Sequence, residues 1–182
     1  MRMFRFAALG RLVWVCAALL LVITARAALA QDQSAALTAL LDRAQIENML
    51  VDYYANLGGA DRGFGSYYTA DGVLDVNGIV GRGKAGIEDL YKRTAASGPR
   101  PAGAFRMMLT NIKIVVNGAA ATADCLWTGV RSANPAATPQ FVEQGREHDE
   151  LVKRAGRWLF RYRVITSDGG LSAMFEKTYQ KR

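Results

Sequence analysis

The chain has 182 residues, of which 51% are hydrophobic and 21% charged, and its formal net charge is +7. This composition excludes a disordered or fibrous chain. Four of the 23 basic residues lie within residues 1–30, which contain no acidic residue, so the remaining 152 residues carry a net charge of only +3. No cluster of lysine and arginine remains there beyond short pairs, and we therefore expect no nucleic-acid partner.

The first 30 residues have the organisation of a secretory signal peptide. Their features are a basic start, an apolar run and an A-x-A end: Arg2, Arg5 and Arg11, then Leu12 to Ile23, then Ala28-Leu29-Ala30. The run is shorter than the roughly 20 residues that a stable membrane span needs, although an uncleaved anchor is the alternative. We expect cleavage before Gln31, a mature domain over residues 31–182, no membrane anchor after cleavage and a periplasmic or secreted location.

The mature chain is poor in residues that bind metals. It contains one cysteine, Cys125, and one histidine, His148. One cysteine forms no internal disulfide, and this pair cannot complete a structural zinc site. The phosphate-cradling glycine loop and the common metal motifs are also missing from the sequence. We therefore expect neither a metal nor a cofactor, and we interpret Cys125 as a small buried hydrophobic residue.

Two helices are predicted in the first half of the mature chain. The first begins at Asp42, which forms a capping pair with Gln45, and its apolar stripe continues at three- and four-residue steps to Gly58-Gly59. A short helical stretch near Phe64–Tyr68 and a strand over Val73–Val76 follow. The second helix covers about residues 84–96 and ends at Gly98-Pro99.

Four long strands are predicted in the second half, over about residues 105–116, 120–131, 140–154 and 157–166. Asn117-Gly118 between the first two is a strong hairpin signal. Helices followed by antiparallel strands indicate the α+β class, with the helices on one side of the sheet. Because long strands twist, we expect a curved antiparallel sheet wrapped around the helices, forming a cone with an internal pocket.

Five segments, in a fixed order across about residues 42–166, carry a resemblance to a known family. They are Ile46…Leu50…Tyr53…Asp61, Tyr68-Thr69-Ala70-Asp71-Gly72-Val73, Gly81-Arg82-Gly83-Lys84…Ile87, Asn111-Ile112…Asn117-Gly118…Ala121 and Gly156-Arg157-Trp158…Arg163. The chain resembles the SnoaL-like branch of the nuclear transport factor 2-like superfamily, which implies the cone fold. Members of this superfamily include dehydratases, isomerases, cyclases, epoxide hydrolases, cofactor-free lyases and proteins that only bind, so the fold does not specify a function.

The resemblance also implies where an acid/base pair would lie. Enzymes of the superfamily place an acidic residue just after the first helix and a histidine at the start of the sheet. These positions fall on Gly58 and Met107 in this chain. The resemblance therefore implies the pocket of the family without its best-known acid/base pair, which argues against dehydratase chemistry of the scytalone type.

Residues 140–154 contain the main catalytic candidates. His148 is suited to proton transfer near neutral pH, and Arg146, two residues away on the same strand face, could stabilise an oxyanion. Glu147 and Asp149 lie on the opposite face because side chains alternate along a strand. Both faces carry charge, so the sequence does not decide which one is inside. We expect Arg146 and His148 to face the cavity, and the alternative is a cavity built from Glu147 and Asp149.

Further candidates lie on other elements. Asp75 is a candidate carboxylate base or partner of the histidine, and Arg106 is a candidate ligand for an anionic group. A solvated strand charge is the alternative for both. Tyr53, Tyr67 and Trp127 are candidates for substrate binding because phenol and indole rings suit an aromatic-sized pocket. Ordinary core packing is the alternative for these three, and it is our prediction for the alternating residues Trp158, Phe160, Tyr162 and Val164.

These observations favour an exported, cofactor-independent lyase or isomerase that abstracts a proton from a small apolar molecule, aromatic or cyclic. The rival hypothesis is a non-catalytic binding protein of the same fold. A third hypothesis makes the open sheet face a protein-interaction surface, since the resemblance implies a homodimer or higher homo-oligomer through that sheet.

Overall fold

The computed structural model describes residues 4–57, 63–96, 103–170 and 173–175, with the backbone alone for residues 4–25, 27 and 28. It divides into two units, Met1–Leu41 and Asp42–Arg182. The elements are, in chain order, α1 (Phe4–Ala55), a 3₁₀ turn (Phe64–Tyr67), β1 (Tyr68–Val76), β2 (Ile79–Arg82), α2 (Gly83–Ala96), β3 (Ala104–Asn117), β4 (Ala120–Ser132), β5 (Gln140–Arg154), β6 (Arg157–Gly169) and a second 3₁₀ turn (Ala173–Phe175).

The first unit is helical through the predicted cleavage position before Gln31. The leucines described in this unit are largely exposed: Leu29, Leu37, Leu40 and Leu41. Within the described residues, no helix combines the length and the apolar character that crossing a membrane requires. Signal-peptide cleavage stays a prediction.

The predicted start of the first helix at Asp42 is wrong, because α1 continues through this residue. The residues just before it are rich in alanine and leucine, which are strong helix formers. The carboxylate of Asp42 accepts hydrogen bonds from the Lys153 ammonium at 2.5 Å and from the Trp158 indole at 3.1 Å. Asp42 therefore joins α1 to the β5–β6 hairpin. The predicted helix ends at Gly58-Gly59 and Gly98-Pro99 lie outside the described residues.

The strands form one six-stranded sheet in the order β2-β1-β6-β5-β4-β3. Helices followed by a long, curved sheet confirm the predicted α+β class. The four long strands cover the predicted ranges, whereas β1 begins five residues earlier than predicted and the short β2 was not predicted. One pairing also differs from the expected antiparallel order, because β1 runs parallel to β6.

A β-bulge in β6 reverses the face of its later residues. Glu150 pairs with Tyr162 and the next residue, Leu151, pairs with Phe160, so that Arg161 is an extra residue in β6. The alternation predicted from the sequence holds for Trp158 and Phe160, which are buried. Beyond the bulge it fails: Tyr162 and Val164 are only partly buried, and Arg163 is fully buried instead. The prediction of Tyr162 and Val164 as core residues is therefore wrong.

The core of the second unit lies between one face of the sheet and the helices, α2 and residues 42–55 of α1. Its buried apolar members come from all of these elements: Ile46, Leu50, Tyr53, Tyr54, Phe64, Tyr68, Leu74, Ile87, Leu90, Ala121, Ala123, Trp127, Leu151, Trp158 and Phe160. The residues of β4 that face this core are small, except for Trp127. We call this face of the sheet the inner face and the opposite one the outer face.

Candidate functional site

The burial pattern of β5 decides which face of this strand is inside. Gly145, Glu147, Asp149 and Leu151 are buried, whereas the intervening side chains of Gln144, Arg146 and His148 are exposed. The predicted period of two is therefore correct, but the face expected to line the cavity is wrong. The alternative that the sequence left open, an interior built from Glu147 and Asp149, is the one observed.

His148 and Arg146 lie on the outer face, away from Tyr53 and Trp127, so their predicted placement in the cavity is wrong. The His148 side chain is 47% exposed, and its Nδ1 lies 2.7 Å from Asp124 Oδ1 on the neighbouring strand. Arg146 forms a 3.2 Å ion pair with Asp168. The physical reason is Arg163: this buried cation faces inward on β6, opposite Asp149, and pairs with the acidic face of β5.

The other predicted polar residues also form local contacts. Asp75 accepts a hydrogen bond from the Gly78 backbone N–H at 2.7 Å, which stabilises the turn after β1. Arg106 is exposed and donates a hydrogen bond to the Phe105 carbonyl at 2.9 Å. Its neighbour Met107 faces the core, so the side chain of Arg106 is on the outer face. The structure does not bring Asp75 or Arg106 to the inner acidic residues of β5.

The three aromatic candidates lie in two places. Tyr53 and Trp127 are buried in the core, which agrees with the alternative of core packing, and their role in substrate binding stays a prediction. Tyr67 is partly buried and lines a groove of about 480 Å³ between α1 and the β5–β6 turn. The edge of its ring contacts the Tyr53 ring, with 5.1 Å between the centroids. Tyr67 therefore contacts the core residue Tyr53 on one side and lines the groove on the other.

Arg163 is the centre of a buried polar group. Its side chain is fully buried, and its guanidinium forms an ion pair with Glu147 at 2.5 Å and lies 3.4 Å from Asp149. Three aromatic rings contact the same guanidinium, with centroids 4.1 Å away for Tyr53, 4.5 Å for Phe160 and 5.2 Å for Tyr54. Such rings favour a desolvated cation.

Four tyrosines extend this group towards the helices. Tyr53 shares hydrogen bonds with the hydroxyls of Tyr68, at 3.1 Å, and Tyr91, whereas Tyr54 donates to Glu147. Burial raises the pKa of Tyr53, Tyr54 and Tyr68 well above the usual value and raises the pKa of Tyr91 to about 12. At neutral pH all four phenols are therefore hydrogen-bond donors, not bases. We call Tyr53, Tyr54, Tyr68, Tyr91, Glu147, Asp149 and Arg163 the interior cluster.

Asp149 has an unusual environment for a carboxyl group. Neither of its oxygens has a hydrogen-bond partner among the described residues, although Oδ1 lies 3.4 Å from Arg163 Nε, and the residue is fully buried. Burial, and secondly the negative charge of Glu147, raise the pKa of Asp149 well above the usual range. Protonation of Asp149 is therefore easier than that of an exposed aspartate, and Arg163 forms its shorter ion pair with Glu147.

Several buried polar atoms converge on the inner face without a hydrogen-bond partner in the described part of the chain. They are Glu147 Oε1, Asp149 Oδ1 and Oδ2, Arg163 Nε and Nη1, and Trp127 Nε1. Folded proteins satisfy the large majority of their buried polar atoms. This concentration therefore indicates a place where the polar groups of a ligand, or water, would bind. The described residues contain no group of three His, Cys, Asp or Glu side chains that could hold a metal ion.

Most residues of the interior cluster were not among the candidates expected from the sequence. Glu147 and Asp149 appeared only as the alternative to the expected face, and Arg163 appeared only as part of a matching segment. A signal was available, since an arginine between apolar and aromatic residues in a core strand requires buried acidic partners. Met107, at the position where enzymes of the superfamily carry a histidine, is partly buried and packs against the core. Gly58, at the position of their acidic residue, lies outside the described residues.

Comparison with known proteins identifies the family. A model of the SnoaL-like domain matches residues 38–164. The chain belongs to the SnoaL-like family. No curated protein matches the chain in sequence.

Solved structures of the same fold are similar to this SnoaL-like chain at low sequence identity. A nuclear transport factor 2-like protein with a cystatin-like fold from Novosphingobium aromaticivorans is 22% identical, with a TM-score of 0.58 over 81% of this chain and 95% of that one. ActVI-ORFA from Streptomyces coelicolor is 21% identical, with a TM-score of 0.60 over 69% and 97%. A protein from N. aromaticivorans named as a candidate scytalone dehydratase is 17% identical, with a TM-score of 0.55 over 71% and 86%. At these identities the similarity shows the fold alone, and it confirms the predicted cone fold.

Proposed function

We propose that this SnoaL-like protein is a cofactor-independent lyase or isomerase that acts on a small apolar molecule, aromatic or cyclic, by proton abstraction. The observation that supports the proposal is the interior cluster, in which two buried carboxyl groups and a buried cation lie together with polar atoms that have no hydrogen-bond partner among the described residues. Buried carboxyl groups with a perturbed pKa, such as that of Asp149, are typical of acid/base sites.

Each group of the interior cluster has a role in this reaction. Glu147 Oε1 is unpartnered and would accept the proton that leaves the substrate carbon. The protonated Asp149 would donate a hydrogen bond to the oxygen on which negative charge develops, and Arg163 would stabilise the same charge. Return of the proton to a different carbon gives an isomerase, whereas its transfer to a leaving group gives a lyase.

The rival function is binding without turnover. It is favoured by Met107, because the thioether of this residue faces the core at the position where enzymes of the resembled superfamily carry a histidine. A methionine cannot transfer a proton. A binding protein would use the same unpartnered polar atoms to hold its ligand, so turnover separates the two functions.

Location and assembly are also proposals. The organisation of residues 1–30 supports export to the periplasm or the medium. The outer face exposes Met108, Leu126 and Phe141, which supports a homodimer or higher homo-oligomer through the sheet.

The experiment is to incubate the purified protein, without cofactor, with a panel of aromatic and cyclic alcohols and carbonyl compounds. We expect turnover in the wild type and a loss of about 10²–10⁴-fold in Glu147→Gln and Asp149→Asn. His148→Gln is the matched control, because this side chain is on the same strand but on the outer face, and we expect it to retain wild-type turnover. Binding without turnover across the panel would support the rival function, and equal losses in all three variants would contradict the proposed roles.

A further inference from the structure

The groove between α1 and the β5–β6 turn is a cavity that the proposed function does not use. Its volume of about 480 Å³ is within the range of about 300–1,000 Å³ that small-molecule sites have. Its walls come from α1, the first 3₁₀ turn and the β5–β6 hairpin, and none of the residues that line it belongs to the interior cluster. The groove is therefore a candidate for a second binding site, separate from the interior.

One wall of the groove is a polar face of α1. Gln45, Asn48 and Asp52 line it, and their spacing of three and four residues places them on the same side of the helix. All three are exposed, and within the described part of the chain their side chains form no hydrogen bond or ion pair. Amide and carboxylate groups present two polar atoms each. This wall therefore offers a row of free hydrogen-bonding groups to a ligand.

The remaining walls combine a cation with aromatic rings. Arg157 is exposed, and its guanidinium forms no ion pair with any described residue. Trp158 is buried and its indole N–H is bonded to Asp42 at 3.1 Å, so it offers carbon surface to the groove. The hydroxyl of Tyr67 accepts a hydrogen bond from Asn56 at 3.1 Å, which leaves its own proton to be donated to a ligand.

These groups suit a ligand with many hydroxyls and no net charge. Asp52 and Arg157 have opposite charges, so that together they select neither an anion nor a cation. Hydroxyls on neighbouring carbons of a sugar can bond to both polar atoms of one amide, carboxylate or guanidinium group. The C–H face of a pyranose ring packs against aromatic and thioether carbon, which Tyr67, Trp158 and Met49 supply.

We infer that this groove binds a neutral carbohydrate of one or two pyranose rings, whose hydroxyls bond to Asn48, Asp52 and Arg157. A zwitterionic amino acid is the competing occupant, because Asp52 and Arg157 have the charges to bind it. Its two charged groups share one carbon atom, however, whereas Asp52 and Arg157 lie on different walls of the groove. The inference is independent of the proposed function, since it needs no residue of the interior cluster.

Titration of the purified protein, followed by proton–nitrogen correlation spectra, tests the inference. The probes are glucose, galactose, maltose and cellobiose, with phenylalanine as the zwitterionic comparison and benzoate as the anionic one. We expect at least one sugar to bind with a Kd of about 1 mM and the two comparison probes to bind at least about tenfold more weakly. The sugar should shift the backbone signals of Asn48, Ser66 and Arg157, and it should leave those of Asp124 and His148 on the outer face unchanged.

Three alanine variants of α1 locate the binding groups. Asn48→Ala and Asp52→Ala each remove hydrogen-bonding atoms from the groove, and each should weaken sugar binding about tenfold. Glu47→Ala is the matched control, because this residue is exposed beside Asn48 but does not line the groove, and it should change the affinity by less than about twofold. Alanine is the strongest helix former, so all three variants should fold.

Three results would overturn the inference. They are the failure of all four sugars to bind, tighter binding of phenylalanine or benzoate than of any sugar, and equal affinities of Asn48→Ala and Glu47→Ala for the sugar. Sugar-induced shifts confined to residues outside the groove would place the sugar elsewhere and would also overturn it.

Discussion

Replacing Arg163 with methionine tests whether the interior cluster is held together by its cation. The guanidinium is fully buried and forms the ion pair with Glu147, so the substitution leaves a carboxylate without its charged partner in the core. Removing one partner of a buried ion pair typically costs about 3–5 kcal/mol. Since a domain of this size has a total stability of about 5–15 kcal/mol, we expect Arg163→Met to lose a large part of it, about 4 kcal/mol.

Arg161→Met is the matched control for this prediction. Arg161 is two residues away on the same strand, but it is the exposed bulge residue and forms a surface ion pair with Glu150. Such pairs contribute about 0–1 kcal/mol. Urea unfolding measures both variants, and with a slope of about 2 kcal/mol/M the midpoint should fall by about 2 M for Arg163→Met and by less than about 0.5 M for Arg161→Met.

A double variant keeps the test informative if Arg163→Met fails to fold. Glu147→Gln combined with Arg163→Met removes both charges, and it should recover a substantial part of the lost stability because no uncompensated carboxylate remains at position 147. Equal midpoints for Arg163→Met and Arg161→Met would refute the reasoning, as would a double variant less stable than the single one.

Three further predictions concern other parts of the chain. Asp149 has a raised pKa in the folded state, so the folded chain keeps a proton that the unfolded chain loses above about pH 4, and stability should fall as pH rises from there. Urea midpoints across pH should show a flatter dependence in Asp149→Asn, and an unchanged dependence would contradict this. Gly145→Ala should lower the free energy of unfolding by about 1–3 kcal/mol through overpacking, whereas Gly169→Ala, with no atom of the described residues within 4 Å of its added Cβ, should change it by less than about 0.5 kcal/mol in the same thermal unfolding assay. N-terminal sequencing of protein from an exporting host should begin at Gln31, and a retained segment in the membrane fraction would overturn the predicted cleavage.

The long strands could be predicted from the sequence because their signals are local. Asn117-Gly118 specifies the turn between β3 and β4, and Gly118 has the positive φ of 59° that this turn needs. Ala155-Gly156 has the same role between β5 and β6. Alternation of side chains between these turns then defines the strands. The parallel pairing of β1 with β6 has no such local signal, since it joins segments far apart in the chain.

The wrong face of β5 was expected to be inside, because the signal for the correct face, Arg163, lies on a different strand. Glu147 and Arg146 are equally plausible interior residues when β5 is considered alone. The choice follows from Arg163, and Arg163 faces inward only because the bulge at Arg161 adds one residue to β6. A register shift of one residue reverses every side chain beyond it. The bulge therefore places Arg163 on the inner face with Glu147 and Asp149, whereas unbroken alternation from Trp158 and Phe160 would place it on the outer face.

The interior cluster is a poor device for stability, and this argues for a functional role. Replacement of buried ion pairs by apolar residues of similar volume is often neutral or stabilising by about 1–4 kcal/mol. The cluster also leaves both oxygens of Asp149 unpartnered in the core. Two consequences of Asp149→Asn therefore belong together: a rise in stability at neutral pH, because the amide lacks the raised pKa that lowers stability above about pH 4, and a loss of turnover, because the amide has no acidic proton. A structural role for Asp149 would separate the two, since activity would then change only as far as folding does. Stability and turnover of Asp149→Asn are both measured at a pH where the variant is folded. Higher stability with lost turnover indicates a functional role for Asp149, whereas turnover that changes only with the folded fraction indicates a structural one.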